Sequence, residues 1–291
     1  MKPTLLRACL AELLGTFLMV FIGTGVVATA VLTGAQMGVW QVAVVWGIGV
    51  ALAIYATAAV SGAHLNPAIT LAFALRRPHD FPRSRILPYW GAQLAGAALA
   101  GLLVLALFHN FILAFELKQQ LVRGTAGSER AAMIFGEYFP NPGMFGPRAE
   151  AGHLVAPWLA ATVEGFGTAI LAFVIFALVD RKNVSLPAKY LAPVLIGATV
   201  AILISLFAPV TQAGWNPARD FGPRLVAYLA GWKGIAIPGP SAGFWVYIVG
   251  PLVGAPLGAL AYDLLIRPGL QDEAPAGSES GDGKTEETRG V

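Results

Sequence analysis

Charge is scarce in this sequence. Of 291 residues, 19 are Lys or Arg and 16 are Asp or Glu, or 12% together, against roughly 25% in soluble domains. That is too little to cover a globule of this size. Cysteine is almost absent as well: the lone Cys9 excludes an intrachain disulfide, leaves no pair from which to read a redox compartment, and reads as a buried apolar thiol. Nothing resembles a nucleotide-binding loop, a metal cluster or a catalytic triad, so the sequence offers no support for an enzyme, a cofactor or a bound metal. Basic residues do not interleave with aromatics as they do in RNA-binding modules. The net charge of +3 and pI near 9.1 therefore speak for membrane topology and not for a nucleic-acid partner.

What is abundant is apolar length. Hydrophobic residues make up 56% of the chain, and six stretches approach the roughly 20 residues a helix needs to cross a hydrocarbon layer. They cover about 10–32, 38–60, 86–108, 157–179, 189–209 and 243–266. The first follows Lys2 and Arg7 and contains Ala28-Thr29-Ala30, so it has some features of a signal peptide. It is too long for one and carries Glu12, and it reads as a retained helix. Arg76, Arg77, Arg83 and Arg85 share one short connection and Arg181, Lys182 and Lys189 another, while the turn 33–37 is uncharged. Basic short loops stay cytoplasmic. Both termini are then expected on the cytoplasmic side of a plasma (inner) membrane, in contact with its lipid. The link 109–156, which includes "FGEYFPNPGMFGP", falls outside and reads as an ordered cap. The tail 268–291, rich in Gly, Ser, Glu and Asp, reads as disordered and dispensable.

The chain also repeats itself. "AELLGTFLMVF" from Ala11 matches "VEGFGTAILAF" from Val163, aligning Glu12 with Glu164, and about fifty residues after each glutamate stands Asn-Pro-Ala. With three helices per half, the second copy starts on the opposite side of the membrane. Repeat one spans about 8–108 and repeat two about 157–267, within one unit of 1–267. Such inverted repeats place the functional site near the midplane, where broken helices meet.

Asparagine is a strong N-cap and proline suits the first helical position. Asn66-Pro67-Ala68 and Asn216-Pro217-Ala218 each read as a helix start. From Asn66 to Arg76 is about ten residues, ~15 Å of helix and half a membrane. The expected fold is all-α: six transmembrane helices plus two re-entrant half-helices in an inverted 3+3 arrangement. Non-helical backbone is tolerated at that depth only where protein buries it or a watery cavity borders it. "SGAHL" and "TQAG" supply that backbone, and carbonyls of Gly62, Ala63, His64, Leu65, Gln212 and Ala213 are expected to form a ladder of acceptors. When each asparagine oxygen caps its own helix, the amide NH2 is left to donate into the pore. It sits on a helix end worth roughly half a positive charge, which repels cations. One Asn-Pro-Ala is a weak signal; two at matched places are a strong one.

These motifs resemble the major intrinsic protein (aquaporin) family, and "SGAHLNPA" with "NPARDFGPR" resembles its glycerol-facilitator or aquaglyceroporin branch. The similarity covers about residues 8–267. It implies a passive channel, without cofactor, for glycerol, other small neutral solutes and water, excluding ions and protons. It also implies a homotetramer with one pore per subunit. Glu12 and Glu164 would hold the dipping loops, Arg219 would face the solute, and Asp220 with Arg224 would form a structural pair at i,i+4 spacing. The positions matching the family's narrow filter are Trp46, Ile204, Ala213 and Arg219. There the chain departs from the branch, which usually carries glycine at the place of Ile204, an aromatic at Ala213 and proline at Tyr247. This filter is closer to that of nodulin-type channels, so a channel mainly for water, ammonia or metalloid acids is the alternative. A coupled secondary transporter would need titratable groups in the pathway, and the candidates are Glu12, Glu164, His64 and Asp220.

Overall fold

The computed structural model describes residues 3–36, 38–185 and 188–270. The expectation for the tail beyond 270 lies outside the described residues. Among them there is no strand; the chain runs α1 Leu5–Ala28, α2 Val39–Ser61, α3 Pro67–Arg76, α4 Ile86–Lys118, three short helices α5 Glu129–Ala132, α6 Pro142–Phe145 and α7 Arg148–Ala151, then α8 Pro157–Val179, α9 Ala192–Thr211, α10 Pro217–Ala227 and α11 Val246–Leu265. Six helical segments are long and apolar enough to span a membrane. Their outward residues, among them Leu14, Leu52, Leu102, Phe166, Ile202 and Val253, are exposed and apolar, as a hydrocarbon solvent requires.

The caps follow local chemistry. Thr4 accepts the Arg7 N–H at 3.3 Å to open α1, and α8 opens on Pro157. The third crossing is longer than the sequence reading: α4 continues ten residues past 108 to Lys118. Its apolar periodicity does not stop at the bilayer's thickness, and the first breaker is Gly124. Arg123 pins the end, donating to Glu116 at 2.9 and 2.6 Å and to the Ala230 carbonyl at 2.9 Å, with its guanidinium 4.0 Å over Trp232. The outer link therefore starts at 119, and α5 to α7 make it an ordered cap.

Packing obeys a pseudo-twofold axis that exchanges α1 with α8, α2 with α9, α3 with α10 and α4 with α11. The α1/α4 contact has its counterpart in α8/α11, α1/α2 in α8/α9, and α2/α9 maps onto itself. Each half-helix packs most against the third crossing of the other copy, α10 on α4 and α3 on α11. The copies are thus interlocked. At the self-paired crossing, Gly47 and Gly197 face one another: a Cβ on either would lie 2.4 or 2.2 Å from the other's carbonyl oxygen. Only glycine allows this approach.

At the end of the bundle that carries both termini, acidic side chains tie α3, α8 and α11 together. Asp263 accepts from Arg76 at 2.8 Å and from Arg77 at 2.9 and 2.7 Å. Asp180 accepts from Arg267 at 2.8 Å, Tyr262 at 3.1 Å and the Lys182 N–H at 3.0 Å. Burial alone would raise the Asp180 carboxyl, but these donors hold it below the usual carboxylate value. A depressed folded-state value stabilises the protein above the unfolded value and is lost as pH falls through the folded one. Melting temperature in detergent should therefore be flat from pH 7 to about 5 and fall below about 4. Asp180→Asn should be less stable at pH 7 and should flatten that acid slope. An unchanged slope removes Asp180 as its source.

Candidate functional site

The two loops that lead into α3 and α10 have matching backbones. Left-handed φ angles occur at Gly62 (+88°), Ala63 (+50°) and Leu65 (+51°), and 150 residues later at Gln212 (+61°), Ala213 (+69°) and Trp215 (+48°). Non-glycine residues rarely adopt this region, so something must hold each loop there. The holding groups are also paired. Glu12 accepts the His64 and Leu65 N–H groups at 2.9 and 2.7 Å, and Glu164 accepts those of Gly214 and Trp215 at 3.0 and 2.7 Å. Ser61 accepts from the Ala63 N–H at 3.0 Å, Thr211 from that of Ala213 at 3.3 Å. With the N–H groups turned outward, the carbonyls of Gly62, Ala63, His64, Gln212, Ala213 and Gly214 accept no bond among the described residues.

Both carboxylates are fully buried. Glutamine at either place would aim an NH2 at one of the two backbone donors. Removing a buried acceptor costs about 1–3 kcal/mol, so Glu12→Gln and Glu164→Gln should each lower the melting temperature and folded yield. The glycerol-to-water permeability ratio of the folded fraction should not move. Normal stability with a new pH dependence of flux would instead assign that carboxylate to proton coupling.

Each asparagine caps its own half-helix: Asn66 Oδ1 accepts from Ala68 N–H at 2.8 Å, Asn216 Oδ1 from Ala218 and Arg219 N–H at 3.1 and 3.2 Å. Their amides differ from the sequence reading. Asn66 donates to the Trp215 carbonyl at 2.9 Å and Asn216 to the Leu65 carbonyl at 2.8 Å. One hydrogen of each NH2 thus joins the two loops, and only the other remains for a solute. Pro67, Ala68, Pro217 and Ala218 are buried in the first turns behind them.

One cavity of about 660 Å³ passes between these loops. It is bordered by Val31 and Gln36 toward the capped end, by Asn66 and Asn216 in the middle, and by Ile175 and Lys189 toward the end that carries the termini. Trp46, Ile204, Ala213 and Arg219 all line it, as do the ladder residues Gly62, His64 and Gln212; Leu65 borders it too, but its carbonyl is taken by Asn216 and drops out of the expected ladder. Most of the lining side chains are aliphatic, and the two loops add backbone whose carbonyls accept no bond among the described residues. Tyr247, in contrast, lies behind the loop: its hydroxyl donates to the Thr211 carbonyl at 3.1 Å, and its ring fills the space beside Gly214. Its departure from the family pattern therefore falls on loop support and not on the cavity wall.

Arg219 is 4% exposed, with its guanidinium 4.7 Å over the Trp46 ring. Nη2 pairs with Glu137, a residue the sequence reading did not single out, while Nη1 has no partner among the described residues. Glu137 lies in the cap, is 2% exposed, and is fastened by its backbone: its N–H donates to Asp220 at 2.7 Å and its carbonyl accepts from Arg224. Asp220 and Arg224 do pair, through two contacts of 2.9 Å, and Arg224 also reaches the Ala236 carbonyl at 2.9 Å. The cap is further tied to the second loop where the Tyr138 N–H donates to Gln212 Oε1 at 2.8 Å. The signal for Glu137 was the single carboxylate inside "FGEYFPNPG", an otherwise uncharged stretch. Among the described residues no group of three metal-ligating side chains comes together.

Comparison with known proteins bears on the fold and the family. Residues 1–262 match the profile of the family described as Major intrinsic protein. A glycerol uptake facilitator protein of Pseudomonas aeruginosa is 44% identical, the match covering 95% of each chain. A propanediol uptake facilitator of Citrobacter freundii is 42% identical over 91% of this chain and 94% of its own. The crystal structure of the aquaglyceroporin from Plasmodium falciparum superposes with a TM-score of 0.76 at 26% identity, covering 91% of this chain and 98% of that one.

Proposed function

Since the chain belongs to the major intrinsic protein family, we propose that it is a passive channel for glycerol and other small uncharged solutes, propanediol among them, that also passes water. It is not an enzyme. The observation that carries the reading is a cavity crossing between two capped half-helix starts, lined by aliphatic side chains and by loop backbone with open carbonyls. A polyol is amphipathic in the same way: its carbon backbone can lie along Trp46 and Ile204 while its hydroxyls donate to the ladder and accept from Arg219 and the asparagine amides. Cations are repelled by the two helix N-termini and by Arg219, and the aliphatic lining replaces little of any ion's hydration shell.

Trp46, Ile204, Ala213 and Arg219 form the selecting constriction in this reading, and Glu137 positions Arg219. Asn66 and Asn216 hold the solute at the crossing. The basic connections Arg76–Arg85 and Arg181–Lys189 support an inner-membrane topology with both termini in the cytoplasm. The small residues of α4 and α11 serve packing within the subunit, Gly96 against α1 and Gly254 and Gly258 against α8; four copies, each with its own pore, are what the family likeness implies.

Light scattering from proteoliposomes tests the function. Glycerol gradients should collapse quickly and sucrose gradients should persist, with no accumulation of glycerol when a proton gradient is imposed. Uphill accumulation would replace the channel with a coupled transporter.

A further inference from the structure

The cavity's two ends are built from corresponding positions. Under the 150-residue offset between copies, Trp46 corresponds to Ile196, Ile204 to Ile54, Ala213 to Ala63 and Arg219 to Ile69, and all eight residues line the one cavity. The corresponding backbone is the same too, with Ala63 and Ala213 both left-handed. We infer that Ile54, Ala63, Ile69 and Ile196 form a second selecting ring, which admits polar atoms that carry a hydrogen and resists those that can only accept one.

The inference rests on counting donors. In the first loop every N–H from 62 to 65 is already used: Gly62 on the Ala58 carbonyl at 2.9 Å, Ala63 on Ser61 at 3.0 Å, and His64 and Leu65 on Glu12 at 2.9 and 2.7 Å. The second loop is spent in the same way, but there Arg219 adds an unpartnered Nη1 beside the solute path. Its counterpart Ile69 adds nothing. Side chains at the second ring are aliphatic, and the open groups are carbonyls of Gly62, Ala63 and His64. The asparagine amides stand at the crossing, a helical turn away. Two polar side chains border this half beyond the asparagines: His64, whose imidazole is stacked 4.7 Å from Phe73 with Phe81 and Tyr89 around it, and Lys189 at the mouth, whose ammonium donates to the Asp180 and Asn183 carbonyls at 3.0 and 2.6 Å.

A hydroxyl crossing this ring can donate to a carbonyl and lose little. A ketone or amide oxygen finds no donor, and a polar atom desolvated without a partner is costly. The two rings therefore ask different questions. The ring of Trp46 and Arg219 serves acceptors and donors alike, whereas the ring of Ile54 and Ile196 serves donors alone. This deepens the channel reading and rests on it: selectivity against urea and small ketones is set at the end of the pore that lacks the arginine.

The test uses solutes matched in size. In proteoliposomes of the wild-type protein, and after subtraction of protein-free vesicles, 1,2-propanediol should permeate roughly tenfold faster than hydroxyacetone, the cost of about one unmade hydrogen bond. Ile54→Gln and Ile196→Gln, each placing an amide donor in the ring, should raise the urea-to-glycerol permeability ratio about tenfold. His64→Phe should leave that ratio unchanged. Equal permeation of the propanediol and the ketone overturns the ring without any variant, and so does an unchanged ratio in folded glutamine variants. A loss of urea flux in His64→Phe makes His64 the donor and overturns it as well. If wild-type vesicles conduct no glycerol, it is the channel reading that fails.

Discussion

Replacing Glu137 with alanine should abolish most folded protein and, in what survives, most glycerol flux. The carboxylate pairs with Arg219 where both are nearly inaccessible, and stripping one partner from a buried pair costs roughly 3–5 kcal/mol, because the remaining charge is left without its counterion. That is a large share of a typical folding free energy. The guanidinium would also be free to swing into the path of the solute, since Nη2 is held by Glu137 and the Trp46 face alone does not fix its direction. Glu137→Gln keeps a hydrogen-bond acceptor and should retain more protein, with glycerol conduction reduced more than stability. Melting temperature in detergent and proteoliposome flux separate the two effects. Wild-type stability and flux in Glu137→Ala would show that Arg219 needs no partner, and the assignment of Glu137 as its positioning residue would fall.

Replacing Ile204 with histidine should cut glycerol permeability by about tenfold or more and water permeability far less. Ile204 is buried on α9 and lines the cavity with Trp46, Ala213 and Arg219, where it presents an aliphatic surface to the carbon backbone of a polyol. A histidine would put a bulky polar ring on the one side of the path that holds no hydrogen-bonding group. Water, having no apolar part to accommodate, loses little. A tenfold fall corresponds to about 1.4 kcal/mol of barrier, a modest demand for one lost apolar wall. The complementary change, Ala213→Phe, should sharpen discrimination among polyols without stopping flux, because it adds a second aromatic surface beside Trp46. If neither substitution moves the glycerol-to-water ratio in folded protein, these two residues do not form the constriction.

Sequence alone reached most of the frame for physical reasons specific to its residues. Asn66-Pro67 and Asn216-Pro217 are local signals, since capping and a fixed proline φ need nothing from the rest of the chain, and both helices start where expected. The repeat showed Glu12 and Glu164 as a matched pair, but their loop-holding role came from the family resemblance, since nothing local says which N–H groups a buried carboxylate will meet. Asp220 and Arg224 were legible as an i,i+4 pair. Glu137 was not, because its partner is set by how a long cap folds back over α10. The reciprocal bonds of Asn66 and Asn216 were missed for a related reason: nothing within ten residues of either asparagine says that the other loop's carbonyl will take one of its hydrogens. The length of α4 was misjudged because a span was cut at the thickness of hydrocarbon, while the helix continued into the cap that Arg123 and Glu116 secure.

The self-paired crossing of α2 and α9 has an ancestral reading. A single unfused copy that entered the membrane in both directions could form that crossing from one sequence, with glycine meeting its own twin, each asparagine donating to its twin's loop and each glutamate serving its own. What such an antiparallel pair could never have is a polarity, for any side chain at one mouth would recur at the other. Arg219 opposite Ile69, and the cap that brings Glu137 to only one end, are features that joining the copies made available. Two different sequences let one ring carry a guanidinium while its counterpart stays aliphatic, and so give the pore a direction in its chemistry although the flow through it has none.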